Sequence, residues 1–588
     1  LYLPFEVRNV RSGRPGAIGV SVAAPTGGFT LAPGQPTTFS LPAPVFESKT
    51  ARRVYVAFTA PASGGPTFNG QVVVSRADDP TAPSVTVNVT AKAVPPPQVD
   101  SVLVVDRSGS MSGASGVHGK TKLDLAIEAS HLYVSLLKDN DEVGVVRYNN
   151  QSGAGDVLLN MIAAGDPASG TGRANARSAL TTANLNATGY TSIGAGVING
   201  SSVLDAGTAN ARALVVLTDG RHNRSPSIAT GTSTVQSKTP KQRVFAVGLG
   251  LNQLEDKLEQ IASVTNGTAQ ITGDLVNERA FLLQKLYVQI LSDIADEAFV
   301  KDPTSIANPG DRQATVIQLG ETDVAADFIV VFRRTSVFPK YLNVELEAPD
   351  GTIFTRNDVA ALPNAEYVEQ PGHCYFRWHF PAFPERPHQH EGAWKVWVEN
   401  RARGEYFLDG ILNYSVMAKA RSDLRLGGRV QQQTYHPGSP MEIVLEPTIY
   451  GLPVGLDAPV EAHVIRPDGV ARTLTLTADN DGAYRAPYTD TGLAGPYLVS
   501  AEVSATTPAG HRVTRFRHMT GLIFVRREEG WDGPHDELCE RAREALDLLA
   551  RLLEECCRDG KTDPPRLLRT IDKSHLVQEL TRRLDKDC

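Results

Sequence analysis

The sequence predicts a multidomain α/β plus all-β chain: a doubly wound, Rossmann-like domain flanked by β-sandwiches, with an α-helical hairpin at the C-terminal end. Three patterns carry that prediction. Residues 1–95 alternate apolar and polar positions between Gly- and Pro-rich turns, as in VYVAFTAP and SVTVNVTAKA. Residues 99–298 switch to strand-like runs alternating with helix-like ones, and the tail carries apolar stripes of helical period. Composition agrees, since 41% hydrophobic and 21% charged residues over 588 positions is ordinary for folded protein. The 58 Lys and Arg against 65 Asp and Glu give −7, without long like-charge blocks, which argues against nucleic acid and for protein partners. No apolar run is long enough to span a bilayer. The chain starts at Leu1 within the strand-like LYLPFEVRNV, so an upstream part, a signal peptide included, is expected to have been removed.

Taken in order, residues 1–95 read as one sandwich, followed by the stiff spacer Pro95, Pro96 and Pro97. In 99–298, Val102–Val105 is a short β-branched run that reads as a buried strand. LDLAIEASHLYVSLL is an amphipathic helix, VGVVRY, ALVVLTDG and RVFAVGLG are strands, and LEDKLEQIASVTNG is a helix with a Gly stop signal. Residues 299–420 return to strands such as FIVVFRR and AWKVWVEN, and 421–527 form a second such unit. Asp350-Gly351, Asp468-Gly469 and Asp481-Gly482 are hairpin turns between these runs. In 528–588, Leu538, Ala542, Ala545, Leu549 and Leu552 form one stripe and Leu568, Ile571, Leu576, Leu580 and Leu584 another, a hairpin that would suit a partner helix. Cys539 and Cys588 lie at similar distances from its turn and would pair in an oxidising compartment.

The chemistry concentrates in SVLVVDRSGSMS, where a buried strand ends in Asp106, Ser108 and Ser110. Alternate oxygens at the carboxyl edge of a parallel sheet suit a hard cation. Two further segments are placed at the same edge: Gly189 to Gly196, GYTSIGAG, expected as a loop before a helix, and Leu217-Thr218-Asp219-Gly220, which ends a strand. A DxSxS motif, a Thr in a G-x-T-x-x-G-x-G loop and a strand closing in TDG together resemble the von Willebrand factor A domain with a complete metal-ion-dependent adhesion site. The resemblance implies that Ser108, Ser110 and Thr191 coordinate Mg²⁺ (or Ca²⁺ or Mn²⁺) directly and that Asp106 and Asp219 act mainly through water. It implies a protein partner whose exposed Asp or Glu takes the last coordination position. Arg107, Arg221 and His222 adjoin the motif as candidate selectors of acidic partners.

The first ninety-odd residues also resemble Ig-like modules of bacterial surface proteins, and 421–527 resembles Ig-like or macroglobulin-type repeats. The order of domains is similar to that of calcium-activated chloride channel regulators, without their HExxH protease domain. These resemblances imply a secreted or surface adhesion or scaffold protein that is not an enzyme. The alternative is a cytoplasmic assembly subunit that docks an ATPase or enzyme partner. GASGVHGKT departs from the phosphate-loop pattern at Ala114, and HQHEGAW carries Trp394 where HExxH needs its second His. The group His373, Cys374, His379, His388 and His390 therefore reads as a loop of solvent-exposed imidazoles.

Overall fold

The structure, a computed structural model, describes residues 2–524 except 10–15, 32–35, 44–49, 59–66, 93–97, 168–169, 251–255, 274, 334–341, 381, 383–389, 403–410, 450–451 and 508–509. The predicted tail hairpin and the Cys539–Cys588 pair lie outside the described residues.

The central domain is built from β1 (Val99–Asp106), α1 (Lys122–Leu136), β2 (Glu142–Tyr148), β3 (Val157–Ala163), α2 (Thr171–Ala179), α3 (Ile193–Leu204), β4 (Ala211–Thr218), α4 (Ile228–Gln236), β5 (Gln242–Gly248), α5 (Asp256–Val264), β6 (Ala269–Ile271) and α6 (Leu282–Ala295). The sheet order is β3-β2-β1-β4-β5-β6, with β3 antiparallel and the rest parallel. Every residue of β1 is buried, as a strand covered by helices on both faces requires. The chain runs from β1 outward to β2 and β3, then returns to β4 on the other side of β1. The carboxyl ends of β1 and β4 therefore flank a topological switch point, where open α/β sheets bind ligands.

On the N-terminal side, strands from Tyr2–Asn9 to Val85–Lys92 form two sheets around Val20, Phe29, Val54, Val56 and Val72. On the other side, the strands of 298–422 form a five-strand path and a facing four-stranded sheet around Trp378 and Trp394. Among the described residues each set pairs only within itself, so the central domain is not inserted into one composite sandwich. A last pair of sheets contains β7 (Gly495–Thr506) and β8 (Arg512–Ile523). The Asp-Gly dipeptides turn where expected: Gly351, Gly469 and Gly482 all adopt positive φ between paired strands.

The segment Gly189 to Gly196 is not loop throughout: α3 begins at Ile193, so Gly194 and Gly196 are helical. They are small because of close packing. A Cβ on Gly194 would meet the Pro226 carbonyl oxygen at 2.2 Å, and one on Gly196 would meet the Tyr148 ring at 2.6 Å. α3 thus lies against β2, which brings the loop before it over the sheet edge.

Candidate metal centre

β1 ends with Asp106, whose side chain is buried and held from two directions. Its Oδ1 accepts the Ser108 backbone N–H at 2.7 Å, and its Oδ2 accepts the Thr218 hydroxyl at 2.8 Å, which ties β1 to β4. The first bond is the self-capping turn typical of Asp in loops. The second spans 112 positions and cannot be local. The Ser108 and Ser110 hydroxyls lie 3.1 Å apart, and Ser110 Oγ donates to Asp219 Oδ1 at 2.7 Å.

Thr191 arrives from the second loop. Its backbone N–H donates to Asn223 Oδ1 at 2.8 Å, and the Asn223 N–H donates back to the Thr191 carbonyl at 3.0 Å. The first two loops are joined directly, Gly109 N–H to the Gly189 carbonyl at 2.9 Å and Thr188 N–H to the Arg107 carbonyl at 2.7 Å. A Cβ on Gly220 would lie 2.8 Å from Thr191 Oγ1 and 3.4 Å from Ser110 Oγ, so this position must lack a side chain for the hydroxyls to gather. Asp106, Ser108, Ser110, Thr191 and Asp219 are therefore brought together, with all but Ser110 buried.

The donor set suits a hard cation. Burial first, and the nearby Asp219 carboxylate second, push Asp106 up to about 7, outweighing its hydrogen bonds from Ser108 and Thr218. Two carboxylates converging in a buried, hydroxyl-lined spot form a site that a divalent ion would relieve.

One participant was not expected. Lys122 Nζ donates to Asp219 Oδ2 at 2.7 Å, while the Asp219 side chain is fully buried. Lys122 is the first residue of α1, after a capping box of Thr121 and Asp124. A cation at a helix N-terminus opposes the helix dipole, and that anomaly is the sequence signal for it. The neighbouring GASGVHGKT segment folds back on itself through an Ala114–Thr121 bridge, and its Lys120 pairs with Glu128 instead. Of the candidate selectors, Arg107 is half-buried, donating to the Asn186 carbonyl at 3.4 Å and lying 3.6 Å from Asp156. Arg221 is exposed beside the site and His222 half-buried.

Residues 100–285 match the model of the von Willebrand factor type A domain. This part of the chain is such a domain. Among solved structures, the chain is similar to a von Willebrand factor type A protein from Catenulispora acidiphila, 13% identical over 92% of this chain and 84% of that one, with a TM-score of 0.28. It is similar to the PilB minor pilin from Streptococcus sanguinis, 13% identical over 48% of this chain and 88% of that one, with a TM-score of 0.28. It is also similar to proximal thread matrix protein 1 from the mussel byssus with a zinc-occupied MIDAS motif, 18% identical over 35% of this chain and 49% of that one, with a TM-score of 0.25. No curated protein matches the chain.

Among the described residues the histidine group does not gather as a second centre, and it is not a solvent-exposed loop, because His373 and His390 are buried. His373 is buried in a strand, where burial first, and then His131 and Arg177, depress it to about 3. His390 stacks on Phe380 at 4.8 Å, and burial pushes the Cys374 thiol up to about 12. His388 lies outside the described residues. Among the described residues no three His, Cys, Asp or Glu side chains gather as a metal-holding group, and no helix is long and apolar enough to cross a membrane.

Proposed function

We propose that this chain is a divalent-cation-dependent protein-binding protein of the adhesion or scaffold type, displayed outside the cell. Its von Willebrand factor type A domain would grip an acidic residue of a partner. The observation that carries the reading is the 2.7 Å bond from Ser110 to Asp219, which joins two sheet-edge loops 109 positions apart into one oxygen-rich site.

Ser108, Ser110 and Thr191 would hold the ion through hydroxyls, with Asp106 and Asp219 supplying charge. When bound, Mg²⁺ (or Ca²⁺ or Mn²⁺) supplies an electrophilic centre for a carboxylate oxygen. Hydroxyl ligands leave that centre less neutralised than carboxylate ligands would. Arg221, exposed at the rim, favours acidic approach. The sandwiches on either side serve as spacers, and the reading assigns no catalysis to the chain.

Titration calorimetry with MgCl₂ tests the site. Saturable heat is expected from the wild type and none from Asp219→Ala, and a wild type that gives no heat with Mg²⁺ or Mn²⁺ overturns the reading. Partner capture that survives EDTA would overturn the cation-dependent part.

A further inference from the structure

A cavity of about 390 Å³ lies where the central domain meets the last pair of sheets, and none of Asp106, Ser108, Ser110, Thr191 and Asp219 lines it. It falls within the size range of small-molecule sites and at a domain joint, where such sites concentrate. The joint around it is firmly built. Gln289 of α6 is fully buried and pairs its side-chain amide with the backbone of His518, donating to the carbonyl at 3.0 Å and accepting the N–H at 2.8 Å. Ile271 of β6 donates its N–H to the Thr520 hydroxyl at 3.2 Å. The cavity is thus bounded by fixed elements.

Alternation along β7 and β8 sets its walls. Leu498 and Ser500 on β7, with Phe516, His518 and Thr520 on β8, share the face opposite to the buried Val499, Ala501, Arg517 and Met519. Leu286 of α6 and Ile465 complete an apolar body. At one side of the cavity the polar groups gather. Lys285 Nζ donates to the Asp302 carbonyl at 2.5 Å, and His518 Nε2 lies 2.6 Å from Asp302 Oδ2. Asp302 is thereby engaged by both neighbours.

Two lining groups are left over. Thr304 Oγ1 is buried without a hydrogen-bond partner among the described residues. Arg279 also lines the cavity, and among the described residues it makes no ion pair. The lining therefore holds two cations, Arg279 and Lys285, against the single carboxylate of Asp302. A guanidinium fork that pairs with no acid among the described residues, beside an apolar wall, matches one ligand chemistry, a carboxylate on an apolar body. A dianionic phosphate fits less well, because its second charge would face Asp302.

We propose that this cavity is a binding site for a small apolar carboxylic acid, with the hydrocarbon against Leu286, Ile465, Leu498 and Phe516 and the carboxylate on Arg279 and the Thr304 hydroxyl.

Calorimetry on the full chain with sodium decanoate, kept below its micelle concentration, tests it against 1-decanol and a peptide ending in Leu-Phe. Saturable binding of decanoate at one site per chain is expected, at least tenfold tighter than decanol. Arg279→Met is expected to remove that preference while decanol binding stays unchanged. Leu498→Trp, which fills the cavity, is expected to abolish both, with thermal melting confirming that each variant folds. No saturable decanoate binding up to 1 mM, an undiminished preference in Arg279→Met, or binding of the peptide alone would each overturn the proposal.

Discussion

Two clusters of buried charge lie at opposite ends of the central domain, and they are balanced differently. Where α6 passes into the next sandwich, every charge has a built-in partner. Lys419, 4% exposed, sits 2.5 Å from Glu297 and 2.9 Å from Asp327, Lys138 reaches Glu297 at 2.7 Å, and Arg377 forks onto Asp327 at 2.8 and 3.0 Å. Arg377 also donates to the Leu136 carbonyl and the Tyr375 hydroxyl to that of Ser135, satisfying the C-terminal end of α1. At the sheet edge, Asp219 meets the ammonium of Lys122, while Asp106 makes no ion pair among the described residues. A closed network belongs to the architecture, whereas an under-compensated one is poised for something that is not protein. Perturbed carboxylates are informative when the perturbation lacks an internal remedy.

The largest effect that tests this contrast is expected in the closed network. Lys419→Met leaves Glu297 and Asp327 buried beside each other, and losing one member of a buried pair costs about 3–5 kcal/mol. Urea unfolding should begin at clearly lower concentration, while Mg²⁺ affinity measured by calorimetry stays within about twofold, because distant sites are nearly additive. A large loss of Mg²⁺ affinity without a loss of stability would mean that the two clusters are not separate.

Acid should act next, and on the same cluster. Burial pushes Glu297 and Asp327 up, but the ammoniums of Lys419 and Lys138 outweigh it for Glu297, as do Arg377 and Lys419 for Asp327, so both are held below the ordinary range. The sign follows from linkage. The unfolded carboxylates take up protons near about pH 4 and the folded ones only further down, so this stabilisation is complete above about pH 4 and is lost as pH falls below it. Circular dichroism across pH 5 to 2 should show the loss, equally with Mg²⁺ and with EDTA, and Lys419→Met should weaken it. A loss that Mg²⁺ prevents would assign the acid sensitivity to the sheet edge instead.

What the sequence made legible follows the same division. Val102 to Val105 announce a buried strand because a sheet covered on both faces needs a continuous apolar run, Asp106, Ser108, Ser110 and Asp219 follow strand-like runs at the edge where open α/β sheets bind ligands, and Thr191, in a loop before a helix, joins them only through the resemblance to the von Willebrand factor A domain. The closed network is invisible by the same logic. Lys419 lies in a strand of alternating type, where a charge reads as solvent-facing, and its partner Glu297 is 122 positions away. GYTSIGAG misled for a different reason: Gly signals a loop from sequence, but here Gly194 and Gly196 allow a helix to lie close to its neighbours. Lys122 escaped because its role depends on where α1 starts relative to Asp219, and helix starts are the least determined feature of a sequence pattern.

Lys122 gives the smallest expected effect and the finest test. Its ammonium occupies Asp219 Oδ2 at 2.7 Å while Ser110 occupies Oδ1, so both oxygens of that carboxylate are engaged. A fixed positive charge there opposes an incoming cation and at the same time leaves a loaded site more positive towards a partner's carboxylate. Lys122→Met should therefore change two affinities in opposite directions. Mn²⁺ binding, followed by water-proton relaxation, should tighten about tenfold, about 1.4 kcal/mol, while acetate binding to the Mn²⁺-loaded protein, followed by the loss of that relaxation, should weaken. If Lys122 instead serves only to hold Asp219 in place, both affinities fall together, and the sign of the Mn²⁺ change alone separates the two roles.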